Sequence, residues 1–98
     1  MPLTDEQRTN LKSSYASEHK THLLRHYPQA YAQMQAKGTL VAHLETIGDQ
    51  ATTMHETIID QMTERAKTMP EKDRQSYLDI APLVAEEMVG SNIVYVKL

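Results

Sequence analysis

Three histidines in the first third of the chain are spaced so that they could share a metal ion. His19, His22 and His26 are three and four residues apart, and imidazoles at these spacings lie on one helical face, where they could hold zinc or nickel. A closed site would need a fourth ligand, and a catalytic site a general base. His43 and His55 are twelve residues apart and do not complete the set. We therefore expect no metal here, but a polar stripe or half-buried imidazoles satisfied by backbone and carboxylate groups.

The other reactive side chains do not form a catalytic pattern either. The carboxylates occur as the adjacent pairs Asp5-Glu6 and Glu86-Glu87, and neighbouring residues point in different directions on a helix. The serines lack a nucleophile-elbow context, and the three glycines are isolated from one another. We expect a protein that is not an enzyme and has no cofactor, and a metal-dependent enzyme built on the histidines is the third choice of function.

The composition indicates one small domain, residues 1–98, with an acidic second half. The core must be built without Phe or Trp, and there is no cysteine for disulfide or thiolate chemistry. Residues 1–49 carry five basic and five acidic side chains, whereas residues 50–98 carry five and eight, which gives a net charge of −3. Nucleic-acid-binding domains usually have a basic stripe or a high isoelectric point. Direct nucleic-acid binding is therefore not expected.

The ends and the hydropathy of the chain bear on its location. The N-terminal segment is polar and acidic, unlike a signal peptide. No apolar run approaches the ~20 residues that span a bilayer. We expect a cytoplasmic protein that does not enter a membrane, and one whose modest core would be enlarged by forming a homodimer.

Local signals predict two helices in the first forty residues. Thr4 and Gln7 have the spacing of a capping box, which predicts the start of the first helix. Pro28 disfavours helical geometry at Tyr27 and so ends it. Proline is also favoured in the first turn of a helix. The segment "PQAYAQMQAKG" therefore predicts a short second helix that Gly38 closes with a left-handed cap.

A long third helix is predicted from Thr39, as its cap, to about Met69. Its apolar positions follow spacings of three and four: Leu40, Leu44, Ile47, Ala51, Met54, Ile58, Met62, Ala66 and Met69. We expect the core face of a bundle helix, with Leu44, Ile47, Met54 and Ile58 most buried. A two-chain coiled coil fits less well, and a seam shared between the core and a partner stays open. Gly48, inside this helix, indicates close helix packing.

The last third predicts one more helix and an extended tail. Thr68, Pro70 and Glu71 form a helix-start signal, with Thr68 as the cap. Pro82 should kink or split this helix, and Gly90 should close it. The tail "SNIVYVKL" is β-branched and aromatic, which favours an extended segment. The fold class is thus all-α, a compact bundle of about four helices around one long central helix, with a short extended C-terminal tail.

A small basic corner is the alternative functional surface. Lys20, Arg25 and Lys37 surround the "RHYPQAY" corner, and a short helix followed by a longer one resembles a helix-turn-helix. The "GT" junction is shorter than the usual turn of that motif. The following helix opens with "LVAHLE", which offers little to base edges. Solvated charges explain the corner better, and a small DNA-binding regulator is the alternative function.

The chain resembles the TnpV family of small transposon-encoded proteins. The residues that carry the resemblance are "LLRHYPQAYAQMQAKGTLVAHLETI", "ATTMHETIIDQM" and the end "VAEEMVGSNIVYV". The last helix departs from the family pattern, because "SYLDIAPLVAEEM" has acids and a proline where the family carries a tryptophan and arginines. The resemblance implies residence on a mobile genetic element and supplies no catalytic residues.

These observations together lead to a functional hypothesis. We expect a non-enzymatic protein-binding accessory or inhibitor, encoded on a transposon, conjugative element or phage. It would mask or regulate a larger nucleic-acid enzyme, such as a recombinase or a host defence (CRISPR-type) nuclease, or its ribonucleoprotein complex. Acidic side chains would oppose a basic groove of that partner, and two tyrosines would anchor the contact. The expected partner-binding residues are Glu71, Asp73, Tyr77, Asp79, Glu86, Glu87 and Tyr95.

Overall fold

The structure, a computed structural model, describes residues 3–97 and confirms the all-α prediction. The described residues form four α-helices and a closing π-helical turn: α1 Asp5–His26, α2 Pro28–Lys37, α3 Leu40–Ala66, α4 Glu71–Val89 and the π-turn Gly90–Val94. Met1, Pro2 and Leu98, which the predicted domain included, lie outside the described range. The long third helix is the spine that the sequence predicted.

The first two helices begin and end where the local signals placed them. The Thr4 hydroxyl accepts the backbone N–H of Gln7 at 3.1 Å, and the Gln7 side-chain oxygen accepts the N–H of Thr4 at 2.9 Å. Pro28 is the first residue of α2. Gly38 has a φ of +75°, a left-handed conformation that favours glycine. The capping box, the proline boundary and the glycine cap are all confirmed.

The helices form a bundle around α3 that is flattened into a thin layer. Along α3, Arg8 pairs with Glu56 and Lys12 with Asp49, so that α1 runs antiparallel to it. The fourth helix packs on another side of α3 and turns back along it. No Cα atom of α1 lies within 8 Å of one of α4 in the described chain. The molecule measures 54 × 25 × 14 Å, and the space between α1 and α4 stays open.

The approach of α1 to α3 depends on Gly48. A Cβ at this position would lie 2.8 Å from Cγ of Lys12 and 3.0 Å from its carbonyl oxygen. Both distances are shorter than van der Waals contact, and the second involves backbone that cannot swing away. Glycine here therefore marks close helix packing, as the sequence indicated.

The buried face of α3 differs from the predicted one. Of the four residues expected to be most buried, Ile58 is buried but Leu44, Ile47 and Met54 are only partly so. The buried residues of α3 are Gly48, Ala51, Thr52, His55, Ile58, Met62 and Ala66. A helix flanked by two neighbours buries small side chains where those neighbours approach. Ala51, Ile58, Met62 and Ala66 belong to the predicted stripe, so the observed face is only shifted, toward Gly48, Thr52 and His55.

Two predicted side-chain caps are absent from the described helices. Thr39 precedes α3 without a capping hydrogen bond. Thr68 does not cap α4 either, because its hydroxyl donates to the carbonyl of Arg65 at 2.9 Å. Pro70 takes the position before α4. Arg74 reaches back and donates to the carbonyls of Ala66 and Met69, at 3.0 and 3.2 Å, which satisfies the end of α3.

Residues 91–94 of the predicted extended tail are instead part of the π-turn, and residues 95–97 follow it without regular structure. Pro82 is exposed within a continuous α4, so the predicted split does not occur. Gly90 has φ −55° and ψ −51°, and the chain continues into the π-turn instead of stopping. Tyr95 donates its N–H to the Gly90 carbonyl at 2.8 Å. Tertiary packing overrides the β-propensity here, because Val94 is completely buried against the helices.

Candidate protein-binding site

Two histidines of α1 hold the end of the chain. His19, which is fully buried, donates from Nδ1 to the carbonyl of Val94 at 2.7 Å. One turn later, His22 donates from Nε2 to the carbonyl of Val96 at 3.0 Å. The expectation of imidazoles satisfied by the backbone is confirmed at these two positions. They fix the segment after α4 against α1.

His43 joins this arrangement from the start of α3. Its Nε2 lies 3.0 Å from Nε2 of His19. Because His19 uses the hydrogen on Nδ1 to reach a carbonyl, its Nε2 bears a lone pair and accepts the N–H of His43. We call His19, His22 and His43 the histidine cluster. Sequence reasoning set His43 aside, since only the antiparallel packing of α1 on α3 brings it to His19.

The environment of His19 keeps its ring neutral. Burial is the main cause that lowers its pKa, and the nearby rings of His43 and His22 lower it further. The hydrogen bond to the Val94 carbonyl opposes this change. Both ring nitrogens are engaged in holding the fold. Within residues 3–97, no three histidine or carboxylate side chains are grouped so that they could hold a metal ion.

A second buried pair joins α1 to α3. The hydroxyl of Tyr15 lies 2.8 Å from Nδ1 of His55. Burial raises the pKa of Tyr15 to about 12, and the carboxylates of Glu86 and Glu18 add to the effect. Burial also lowers the pKa of His55, while Glu86 and Glu56 oppose that change. Glu86 of α4 and Glu18 of α1 are therefore close enough to Tyr15 for their negative charge to raise its pKa.

Those acids belong to a groove that runs between α1 and α4. It has a volume of about 380 Å³ and is lined by Leu11, Ser14, Tyr15, Glu18, Leu83, Glu86, Glu87 and Tyr95. We call it the α1–α4 groove. Three of its lining side chains are carboxylates and none is basic. Leu83 and Tyr95 are 64% and 54% exposed, so the groove combines accessible apolar surface with negative charge.

Tyr95 takes its place in the groove because of the tail geometry. Its ring lies 5.6 Å from the ring of His22 in an edge-on arrangement. Two of its ring carbons would lie 3.3 Å from a Cβ at Gly90. Glycine at position 90 therefore lets the ring pack closely, and the histidine cluster holds the backbone on either side of it.

The predicted partner-binding residues divide into two groups. Glu86, Glu87 and Tyr95 meet in the α1–α4 groove. The others lie in the first half of α4, where Tyr77 is half-buried against the core and three carboxylates are exposed: Glu71, Asp73 and Asp79. Sequence reasoning missed Glu18, Leu11 and Leu83. The one available signal was the apolar Leu83 beside Pro82, off the core stripe of its helix.

The basic corner does not form one evident surface. Lys20, Arg25 and Lys37 are all exposed, but five residues along a helix rotate a side chain by about 140°, which separates Lys20 from Arg25. At the start of α3, Val41 is 69% exposed and His43 is engaged with His19. This helix end offers few polar groups to base edges.

The fold and groove define a small all-α protein with an acidic, partly apolar groove on its surface. No helix among residues 3–97 is long and apolar enough to cross a membrane. The chain belongs to the TnpV family: the family model for transposon-encoded protein TnpV matches residues 1–94. The family resemblance found in the sequence is thus confirmed. Comparisons with curated proteins and with solved structures give no significant match.

Proposed function

We propose that this TnpV protein is a non-enzymatic accessory protein of a mobile genetic element. It binds a larger nucleic-acid enzyme and masks or regulates it. The enzyme is either the recombinase of the element itself or a host defence nuclease of the CRISPR type. The transposon-encoded family supports the setting, and the charge of α4 supports the kind of partner.

The observation that carries the proposal is the one-sided charge of α4. This helix has five carboxylates and two basic residues, Lys72 and Arg74. Arg74 is half-buried, and its guanidinium donates hydrogen bonds to the carbonyls at the end of α3. The exposed side of α4 is therefore strongly acidic. Such a surface attracts the basic groove through which a nucleic-acid enzyme holds its phosphates, and it competes for that groove.

His19 and His22 favour a structural role over catalysis. A general base needs a free ring nitrogen that can reach a substrate. His19 is fully buried with both nitrogens engaged, and His22 uses Nε2 to hold the Val96 carbonyl. These side chains support the shape of the tail and of Tyr95. These hydrogen bonds support the proposal that Tyr95 is held ready for contact with a partner.

Affinity capture from the host, followed by quantitative mass spectrometry, tests the proposal. The bait is the wild-type chain, the reversal Glu86→Lys/Glu87→Lys, or the control reversal Glu45→Lys/Asp60→Lys. The control positions are exposed carboxylates of α3 outside the groove lining. We expect a recombinase or nuclease with the wild type and the control, and much less with the α4 reversal.

The same preparation decides the alternative. A purified chain that binds free DNA at physiological salt, and loses that binding on changing Lys20, Arg25 and Lys37, would be a DNA-binding regulator. An acidic chain of net charge −3 is not expected to do so. Capture that yields no nucleic-acid enzyme would contradict the proposed function.

A further inference from the structure

We propose that the α1–α4 groove receives one basic amphipathic helix of the partner protein. This inference rests on the proposed function and specifies how the contact is made. The helix would lie between α1 and α4, over α3, and complete a four-helix arrangement. Its apolar stripe would face Leu83 and Tyr95, and its basic side chains would meet Glu18, Glu86 and Glu87.

The helical shape of the occupant follows from the arrangement of the layer. Both α1 and α4 pack on α3, but they do not approach each other within 8 Å between Cα atoms. Both run antiparallel to α3, so the walls of the groove are two helices of the same direction. Packed helices lie 8–10 Å apart and a four-helix bundle fills each such groove with a fourth helix. In this protein the position of the fourth helix, between α1 and α4, is open. The π-turn closes one end of it.

The apolar stripe follows from the lining. Leu83 is 64% exposed although it projects from the same helix as the buried Ala81 and Ala85. Tyr95 is 54% exposed and is held in position by the tail. Leu11 is partly buried and Tyr15 forms the floor. An amphipathic helix in a groove uses apolar anchors at spacings of three and four, which suits this lining.

The basic character follows from the charges that flank those anchors. Glu18 lies on the α1 wall, and Glu86 and Glu87 lie on the α4 wall. Among residues 3–97, no lysine or arginine lines the groove to neutralise them. Arginine in particular can bind a carboxylate through two parallel hydrogen bonds. A second copy of this chain is a poorer occupant, because it would bring further acids to an acidic groove.

Three synthetic peptides test this docking mode on the purified protein. The first is an 18-residue helix, about five turns, with a leucine stripe flanked by lysine and arginine. The second has the same composition in scrambled order, and the third replaces the basic residues with glutamate. Chemical shifts of the isotope-labelled protein report where each one binds. We expect saturable one-to-one binding of the first peptide at the groove residues, and binding at least ten-fold weaker for the other two.

A matched pair of variants tests the anchor. Leu83→Ser should weaken the first peptide at least five-fold, whereas Val41→Ser, a similarly exposed apolar residue outside the groove, should leave its affinity unchanged. Both positions are exposed, so unchanged circular dichroism is expected. Equal binding of the scrambled peptide would show a diffuse anionic surface and overturn the inference. Shifts elsewhere, or a dimer in sedimentation whose formation shields the groove, would do so too.

These outcomes are separate from those of the affinity capture. Failure of the peptides to find the groove, with a nuclease or recombinase still captured, would leave the proposed function standing and remove the helix-docking mode. Peptide binding without such a captured enzyme would establish the groove as a helix receptor and contradict the proposed partner class.

Discussion

Nε2 of His19 lies 3.0 Å from Nε2 of His43, while the other ring nitrogen of His19 donates to the carbonyl of Val94. The contact needs one hydrogen between the two Nε2 atoms, because protonation of both rings would leave two N–H groups facing each other. One imidazole thereby connects α1, α3 and the end of the chain. The position of Tyr95, next in sequence to Val94, depends on this connection.

Acidification should therefore destabilise the fold. Burial lowers the folded-state pKa of His19 and of His55 below their ordinary value of about 6.5. Below that value the unfolded chain binds more protons than the folded one, so stability is fully present above about pH 6.5 and falls as the pH drops further. Each histidine contributes a slope of at most ~1.4 kcal/mol per pH unit.

Urea unfolding at pH 7.5, 6.5 and 5.5 measures this dependence. The midpoint should change little between the first two values and fall between the last two. The double variant His19→Gln/His55→Gln should show a flatter dependence, and His26→Gln, at an exposed position, should follow the wild type. If the unfolding midpoint of the wild type did not depend on pH, the two rings would accept protons in the folded state without loss of stability, and the prediction would be wrong.

Gly48→Ala should destabilise the protein, although alanine favours a helix over glycine by ~1 kcal/mol. The new Cβ would lie 3.0 Å from the carbonyl oxygen of Lys12, so α1 and α3 must separate. Overpacking of this kind costs about 1–3 kcal/mol. Thermal unfolding of this variant beside Gln50→Ala, an exposed position two residues along α3, measures the difference. A higher melting temperature for Gly48→Ala would mean that α1 and α3 separate without loss of stability, contrary to this prediction.

Leu23→Ala should cost more stability than Leu44→Ala. Leu23 is fully buried, whereas Leu44 is only partly buried. Truncating a buried leucine typically costs about 2–5 kcal/mol, and we expect less than half of the Leu23 loss at position 44. Denaturant unfolding of the two single variants provides the comparison. Equal losses of stability would mean that Leu44 belongs to the buried face of α3, as the sequence predicted.

Zinc should not bind the histidines with structural affinity. His19 and His22 already use ring nitrogens to hold carbonyls, and a site needs four ligands for closure. Addition of zinc in equal amount should leave the melting temperature unchanged. A stoichiometric rise that disappears in both His22→Ala and His43→Ala would establish a metal site and contradict this prediction.

Charge reversal on α4 should act on association with the partner. Exposed charges steer encounter and contribute little to stability. Glu86→Lys/Glu87→Lys should therefore slow association, most strongly at low salt, with unchanged circular dichroism. Surface-plasmon measurements across a salt series, with Glu45→Lys/Asp60→Lys as the control, give the rates. An unaltered association rate, or tighter binding by the reversed chain, would contradict this prediction. The basic corner of Lys20, Arg25 and Lys37 would then be the next surface to test.

Tyr95→Ala should act on dissociation instead. An aromatic anchor contributes to the lifetime of a complex more than to encounter. We expect faster release of the partner and little change in association. Tyr31→Phe, which lies in α2 away from the groove lining, is the control. Equal dissociation rates for Tyr95→Ala and the wild type would show that the ring is no anchor.

The sequence by itself determined the local boundaries of the fold. The capping box at Thr4, the break before Pro28 and the left-handed cap at Gly38 depend on contacts within a few residues, so spacing and residue type suffice to place them. Gly48 also carried its own signal, because a glycine inside a periodic helix indicates a close neighbour. The family followed from the pattern along most of the chain.

Only the tertiary structure decided which faces are buried and which residues meet. The buried face of α3 keeps Ala51, Ile58, Met62 and Ala66 of the predicted stripe but turns toward Gly48, Thr52 and His55, and periodicity cannot resolve such a shift when a helix has two neighbours. His19 and His43 are far apart in the chain but meet through helix packing, which also places Glu18 and Glu86 on opposite walls of one groove. The tail shows the same effect: its β-branched residues favour extension, yet burial of Val94 and its hydrogen bond to His19 outweigh local propensity and hold it as a turn.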